Sequence, residues 1–378
     1  MKENKRKYKI LLIIPLPPPI HGVTMANDII KNCKDFNFEF DTKFVDYSFV
    51  REINEIGGFS MKKGWIYIKH LVNTFKTVFK FKPDVIYFTI APVGGAFIRD
   101  AIFVNLLKLF FNKRVVLHFH GKGIYKEMKK SKALSFLYNL TFSNTYIILL
   151  SNLLKNDLKL VRSKHNLFFI PNGIKPIKHK GIKQSKLNPI KLLYLSNLIE
   201  SKGVIILLKA ISQIVSQGYD NFSISFVGKP SKSITETIFN QEVEKYNLNK
   251  HVNYLGPKYG DEKYDILKNS DIFVFPTYKD CFPLVLLEAM QSKLAIISTY
   301  EGAIPEIIDN NINGILCRKK SVDDLVLNII KLLENPELIN KLGDNAYEKF
   351  EKHYTAEKFE SRLIKTFNEI LQKDEFRG

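Results

Sequence analysis

The chain has 378 residues, 45% of them hydrophobic and 25% charged; this is too long for one ordinary core, too apolar for a disordered chain, and suited to two domains of similar size. Its three cysteines, Cys33, Cys281 and Cys317, stand far apart and outside any CxxC pair. That excludes a disulfide framework and a structural zinc site and fits a reducing compartment. The formal net charge of +19 belongs to the first half: 31 Lys+Arg face 12 Asp+Glu up to residue 180, and 26 face 26 beyond it. Such asymmetry points to an anionic partner for the first half alone: nucleic acid, an anionic lipid surface or an acidic substrate.

A basic N-terminus leads into the apolar run 10–14, which Pro15 ends. That run is too short for a signal core and reads as a buried strand. No stretch reaches the ~18 uncharged apolar residues of a membrane span; the richest, 101–119, is broken by Lys108, Lys113 and Arg114. The protein is therefore expected to be cytoplasmic, with any membrane contact peripheral. After the first strand, Pro17, Pro18 and Pro19 are expected to hold the chain extended, His21 and Gly22 to turn it, and 23–30 to form a helix. A glycine at a strand-to-helix turn lets backbone amides approach a phosphate. The absence of GxGxxG and GxxxxGK[ST] disfavours dinucleotide binding and ATPase activity.

Segments 65–82 (WIYIKHLVNTFKTVFKFK) and 125–140 (YKEMKKSKALSFLYNL) combine helical apolar spacing with lysines, and the first holds the single tryptophan, Trp65. They read either as helices packing one face on a sheet or as helices lying at a membrane interface. Apolar runs at 10–14, 85–89, 115–119, 146–150 and 168–170 alternate with helical patterns. A polar, lysine-rich stretch follows at 175–188, and a second set of runs occupies 192–196, 223–227, 252–255, 272–275 and 295–298. Continuous apolar strands alternating with helices predict an α/β fold of two facing, doubly wound Rossmann-like domains with a deep interdomain cleft. The expected boundaries are 1–174, 175–355, and a C-terminal helix in 356–378 crossing back to the first domain. Ligands in such sheets bind at the carboxyl ends of the strands.

The densest chemical pattern is PTYKDCFPLVLLEAM at 276–290, after the strand 272–275. Pro283 suits the first turn of a helix. The amides of Leu284 and Val285 then lie at its positive end, suited to a diphosphate. Glu288, just over a turn further in, can accept from a ribose diol, and Asp280 can reach a sugar. The blander reading makes Asp280 a helix cap and Glu288 a surface charge. Yet Glu288 lies in an otherwise buried run, where a carboxylate needs a partner. No DxD stands at a strand end: Asp28 and Asp35 lie apart, Asp323 and Asp324 fall on a late helix, and His118 and His120 complete no three-ligand cluster.

This segment resembles the E-x7-E signature of the family-4 (group 1) retaining glycosyltransferases of GT-B fold. LSNLIESKG (195–203) is similar to that family's GRLxxxKG stretch, FIPNGI (169–174) to its IPNGI, EGAIPEI (301–307) to its GGxPEI loop and HFHG (118–121) to its HxHG strand end. The resemblance runs in order over residues 15 to about 310. It implies that Glu288 holds the ribose hydroxyls and Asp280 contacts the donor sugar. Lys202 neutralises the diphosphate with the backbone of Gly22 and the amides of Leu284 and Val285. His120 lines the sugar and acceptor side, and Asn172 and Gly173 shape the hinge. The catalytic set is thus His120, Asp280 and Lys202, and the donor-binding set is Gly22, Asn197, Lys202, Leu284, Val285 and Glu288. Two departures stand out, Asp280 at a position usually glutamate and Asn197 at one often held by an arginine; they imply weaker turnover, a different donor or compensation by another cation such as Lys229, or are drift without consequence.

The implied function is transfer of a hexose-type sugar from a UDP- or GDP-sugar to a glycan or lipid-linked acceptor in cell-surface polysaccharide synthesis. No cofactor or metal is expected. Attack comes on the front face, with the leaving phosphate helping to deprotonate the acceptor. The basic half is expected to meet the inner face of the plasma membrane. The alternative is a catalytically weak homologue that binds a nucleotide-sugar or a membrane. A sugar-nucleotide epimerase would need further cleft carboxylates, and no RNP-like, helix-turn-helix or finger pattern supports nucleic acid.

Overall fold

The computed structural model describes residues 6–19, 22–49, 61–162, 166–177 and 188–372. The turn residue His21 and most of the lysine-rich stretch 175–188 fall outside these. The chain divides into two compact units, one running to Gly173 and resuming at Ala356, the other Ile174–Thr355.

The first unit holds strands β1 (Lys9–Ile14), β2 (Asp41–Asp46), β3 (Val85–Ile90), β4 (Arg114–Phe119), β5 (Thr145–Leu149) and β6 (Leu167–Phe169). They form one parallel sheet in the order β2-β1-β3-β4-β5-β6. Every residue of β3 (VIYFTI) is buried, as a parallel strand covered on both faces requires. The helices are α1 (Gly22–Asn32), α2 (Lys34–Glu39), α3 (Met61–Phe81), α4 (Gly94–Phe111), α5 (Ile124–Lys130) and α6 (Lys132–Phe142).

The second unit repeats the plan. Strands β7 (Ile190–Leu195), β8 (Phe222–Val227), β9 (Val252–Tyr254), β10 (Ile272–Val274), β11 (Ala295–Thr299) and β12 (Ile315–Cys317) pair in parallel in the order β12-β11-β10-β7-β8-β9. Its helices are α7 (Val204–Ser216), α8 (Glu236–Lys245), α9 (Gly260–Lys268), α10 (Leu284–Gln291), α11 (Ile304–Ile307), α12 (Val322–Leu333) and α13 (Pro336–His353). The last helix, α14 (Ala356–Gln372), belongs to the first unit. Its Phe359, Leu363 and Phe367 are fully buried in one cluster with Leu12, Ile30, Phe36 and Tyr87.

Several local expectations are corrected. The prolines at 17–19 bend the chain instead of extending it. Pro283 is the N-cap of α10, with extended backbone, and not part of its first turn. The amphipathic segment 125–140 is two helices: Ser131 ends α5 with extended backbone, and its hydroxyl accepts from Leu134 N–H to open α6. Two strands go beyond those read from the sequence. β2 (DTKFVD) is an edge strand with only Val45 buried, and β12 is three residues long.

Each sheet reverses its winding direction at one place, between β1 and β3 in the first and between β7 and β10 in the second. Chains leaving the carboxyl ends of strands at such a switch point splay apart and leave a crevice.

Candidate donor site at the strand ends

In the second unit, the chains leaving β7 and β10 flank the switch point. They are tied together: Tyr278 N–H donates to Ser201 O (2.9 Å), and Thr277 Oγ1 to the same carbonyl (3.1 Å). Gly203, between the Glu200–Lys202 turn and α7, makes this approach possible. Its φ is +86°, and a Cβ there would stand 2.3 Å from Pro276 O. Gly203→Ala is therefore expected to destabilise the second unit by about 1–3 kcal/mol, read as a lower denaturation midpoint in urea. An unchanged midpoint would mean that the two loops are not held this closely.

The consequence of the close approach is one ion pair. Lys202 Nζ donates to Asp280 Oδ2 at 2.6 Å, with both side chains largely shielded from solvent. The ammonium also lies 5.7 Å from the centroid of the Phe275 ring. Asp280 is fixed from its other side: its Oδ1 accepts from Cys281 N–H (2.8 Å), and its own N–H donates to Glu301 Oε1 (3.2 Å). Glu301 is buried and also pairs with Lys319 (2.9 Å). Gly302 (φ +55°) brings the loop after β11 against the carbonyls of Asp280 and Cys281, each 2.6 Å from where a Cβ would sit. Three neighbouring strand ends thus converge on Asp280.

Helix α10 begins three residues after Cys281. Its N-cap Pro283 makes no side-chain cap hydrogen bond, so the half-buried Leu284 and Val285 present first-turn amides at the positive helix end. Glu288, one turn in, is 15% exposed, and its Oε1 accepts from Lys263 Nζ of α9 at 2.7 Å. This is the partner that its position in a buried run demanded. Asn197 is exposed at the end of β7, where its Oδ1 accepts from Lys229 N–H (3.3 Å); the Lys229 side chain is exposed.

Gly22 and His120 lie in the first unit. Gly22 is the exposed first residue of α1. That helix is pinned by Thr24 Oγ1 to Pro19 O (2.7 Å) and by the buried Asn27, whose Nδ2 donates to Pro15 O (2.9 Å). His120 follows β4 with its ring centroid 4.2 Å from that of His118. His118 is fully buried, and its Nδ1 shares a 2.5 Å hydrogen bond with Tyr87 Oη. Burial, reinforced by neighbouring His120, holds its pKa well below the ordinary histidine value. The loop beyond is clamped by the Asp157 carboxylate, which accepts from Gly123, Ile124 and Tyr125 N–H at 2.6, 2.9 and 3.0 Å.

Lys202, Asp280, Leu284, Val285, Glu288 and Asn197 therefore gather at the strand ends of one sheet, and Gly22 and His120 at those of the other. Sequence reading missed Lys263 and Lys319, and took Glu301 only as the start of the EGAIPEI loop, with no role of its own. Glu301 carried a signal, a carboxylate beside a glycine directly after a buried strand; Lys263 and Lys319 look like any other surface lysine. Among the described residues, no group of three or more His, Cys, Asp or Glu side chains is placed to hold a metal ion.

Two six-stranded, parallel, doubly wound sheets in one chain define the GT-B architecture of glycosyltransferases, and solved structures share it. A glycosyltransferase from Rickettsia africae superposes with a TM-score of 0.75 at 16% identity, covering 97% of this chain and 99% of that one. Anabaena HepE in complex with UDP does so at 0.72 and 16%, covering 96% and 100%. Residues 177–349 match the family described as Glycosyl transferases group 1. An uncharacterized glycosyltransferase of Methanocaldococcus jannaschii is 27% identical over 373 residues, covering 96% of this chain and 98% of that protein. The match to the group 1 glycosyltransferases thus lies within the second unit, and over nearly its whole length the chain is similar to a protein described as a glycosyltransferase.

Proposed function

We propose that the protein transfers a hexose-type sugar, with retention of configuration, from a UDP- or GDP-sugar to a glycan or lipid-linked acceptor of cell-surface polysaccharide. The observation that carries this is the Lys202–Asp280 pair beside the uncapped N-terminus of α10, at the switch point of the second sheet. The diphosphate takes the Lys202 ammonium and the Leu284 and Val285 amides. Glu288 accepts from the ribose diol, Asp280 from a sugar hydroxyl, and His120 lines the acceptor side. Asn197, with no charge of its own, leaves Lys202 the larger share of the diphosphate. In the reaction the C1–O bond to the β-phosphate breaks and its electron pair stays on the phosphate oxygen. The acceptor oxygen bonds C1 from the same face and gives its proton to the departing phosphate. Fixed amides and one ammonium stabilise the charge that develops there, without a metal. That HepE was solved with UDP supports the donor class. Incubation with a panel of UDP- and GDP-sugars and a lipid-phosphate acceptor tests it: release of nucleoside diphosphate with EDTA present is expected, and intact donors throughout would overturn it.

The acceptor side rests on the first unit. On α3, Trp65, Ile68, Val72 and Phe79 are exposed, Trp65 by 72% and Phe79 by 75%. Their spacing places them within about 60° of one another around the helix. The neighbouring α4 exposes Ile98, Ile102 and Leu109, and α6, beside it, Phe136 and Leu140. Exposed Lys69, Lys76 and Lys80 border the α3 stripe. Apolar rows flanked by ammonium groups fit an anionic bilayer surface, and among the described residues no helix is long and apolar enough to cross one. Sedimentation with phosphatidylglycerol vesicles is expected to weaken roughly tenfold for Trp65→Ser/Phe79→Ser and to weaken further with salt. Unchanged sedimentation, or a change in oligomeric state instead, would contradict this surface.

A further inference from the structure

We infer that Lys263 is a positioning residue for the ribose of the donor nucleotide, an inference that rests on Glu288 taking the ribose diol. Lys263 lies in the first turn of α9, on the connection between β9 and β10, and reaches across to α10. Its Nζ holds Glu288 Oε1 at 2.7 Å, with the lysine side chain 21% exposed. Among the described residues Oε2 of Glu288 accepts no hydrogen bond, so the ammonium fixes one carboxylate oxygen and leaves the other for a ligand. A glutamate on an otherwise apolar helix face can rotate about three bonds, and each hydroxyl of a vicinal diol needs an acceptor in a set direction. An anchored carboxylate meets that demand without losing rotamer freedom on binding. The lysine also balances the charge of a carboxylate that is mostly out of water. The ammonium acts through Glu288 on the diol alone and leaves the diphosphate to Lys202 and the α10 amides.

This predicts a loss of selectivity as well as of affinity. Isothermal titration compares UDP with 2′-deoxy-UDP, and GDP with 2′-deoxy-GDP where UDP does not bind. Lys263→Met is expected to weaken binding of the ribonucleotide about tenfold, the worth of a hydrogen bond to a charged group. The 2′-deoxynucleotide should change less than about twofold, and Lys263→Arg should restore the discrimination. A lysine that only stabilises the fold would weaken both nucleotides equally and would lower the melting temperature. Equal losses, or undiminished discrimination in Lys263→Met, overturn the role of Lys263. If the wild type binds neither UDP nor GDP, the nucleotide-sugar reading falls first and Lys263 with it.

Discussion

Glu288→Ala is expected to weaken nucleoside diphosphate binding by about 10²-fold or more while leaving the fold in place. A carboxylate accepting from two ribose hydroxyls contributes about 1.5–3 kcal/mol per hydrogen bond, and two such bonds correspond to at least two orders of magnitude. Truncation also removes the carboxylate partner of the Lys263 ammonium. Because Glu288 is half-buried while its neighbours Leu287 and Ala289 are buried, the apolar contacts of that helix survive the change. Titration calorimetry with UDP and GDP reads the affinity, and circular dichroism on heating reads the fold. Undiminished affinity with an intact melting transition would place the ribose elsewhere.

Lys202→Ala is expected to lower kcat by about 10²–10³, the scale of removing one fixed donor from a developing oxyanion, with KM changing much less. In the free protein Lys202 is bonded to Asp280, so the diphosphate has to draw the ammonium away or share it. The variant then leaves Asp280 without its counter-charge, and Asp280→Asn together with Lys202→Ala should cost less than the sum of the two single changes, since the groups act as a pair. Single-turnover rates of sugar transfer measure this. A Lys202→Ala enzyme that turns over at the wild-type rate would remove the residue from the leaving-group site.

Much of this was legible before any coordinates. Buried runs such as VIYFTI of β3 announce a parallel sheet because no face needs water, and PLVLLEAM announces a helix with a free N-terminus. What stayed hidden was long-range or local in a way that pattern does not record. β2 escaped because an edge strand leaves most of its residues unburied, and DTKFVD carries a single buried position. The bend at Pro17–Pro19 and the break at Ser131 are settled by packing and capping rather than by periodicity. The Lys202–Asp280 pair joins residues on two loops that meet only because β7 and β10 are neighbours in the sheet. Lys263 had no signal at all, since one more lysine in a lysine-rich chain is indistinguishable from a solvated charge until α9 is placed beside α10.

The most direct measurement is thermal unfolding of the purified protein against a panel of UDP, GDP, their sugars, the corresponding monophosphates and ATP. A ligand that binds only the native state, at 100 times its dissociation constant, stabilises by about 2.7 kcal/mol. For a unit of this size that raises the melting temperature by several degrees, about 2–4 °C per kcal/mol. The expected result is a clear rise with one nucleoside diphosphate and its sugar, a smaller one with the monophosphate, and none for Glu288→Ala. A panel in which no nucleoside diphosphate shifts the transition, or in which Glu288→Ala responds as the wild type does, would contradict a donor site at the switch point of the second sheet.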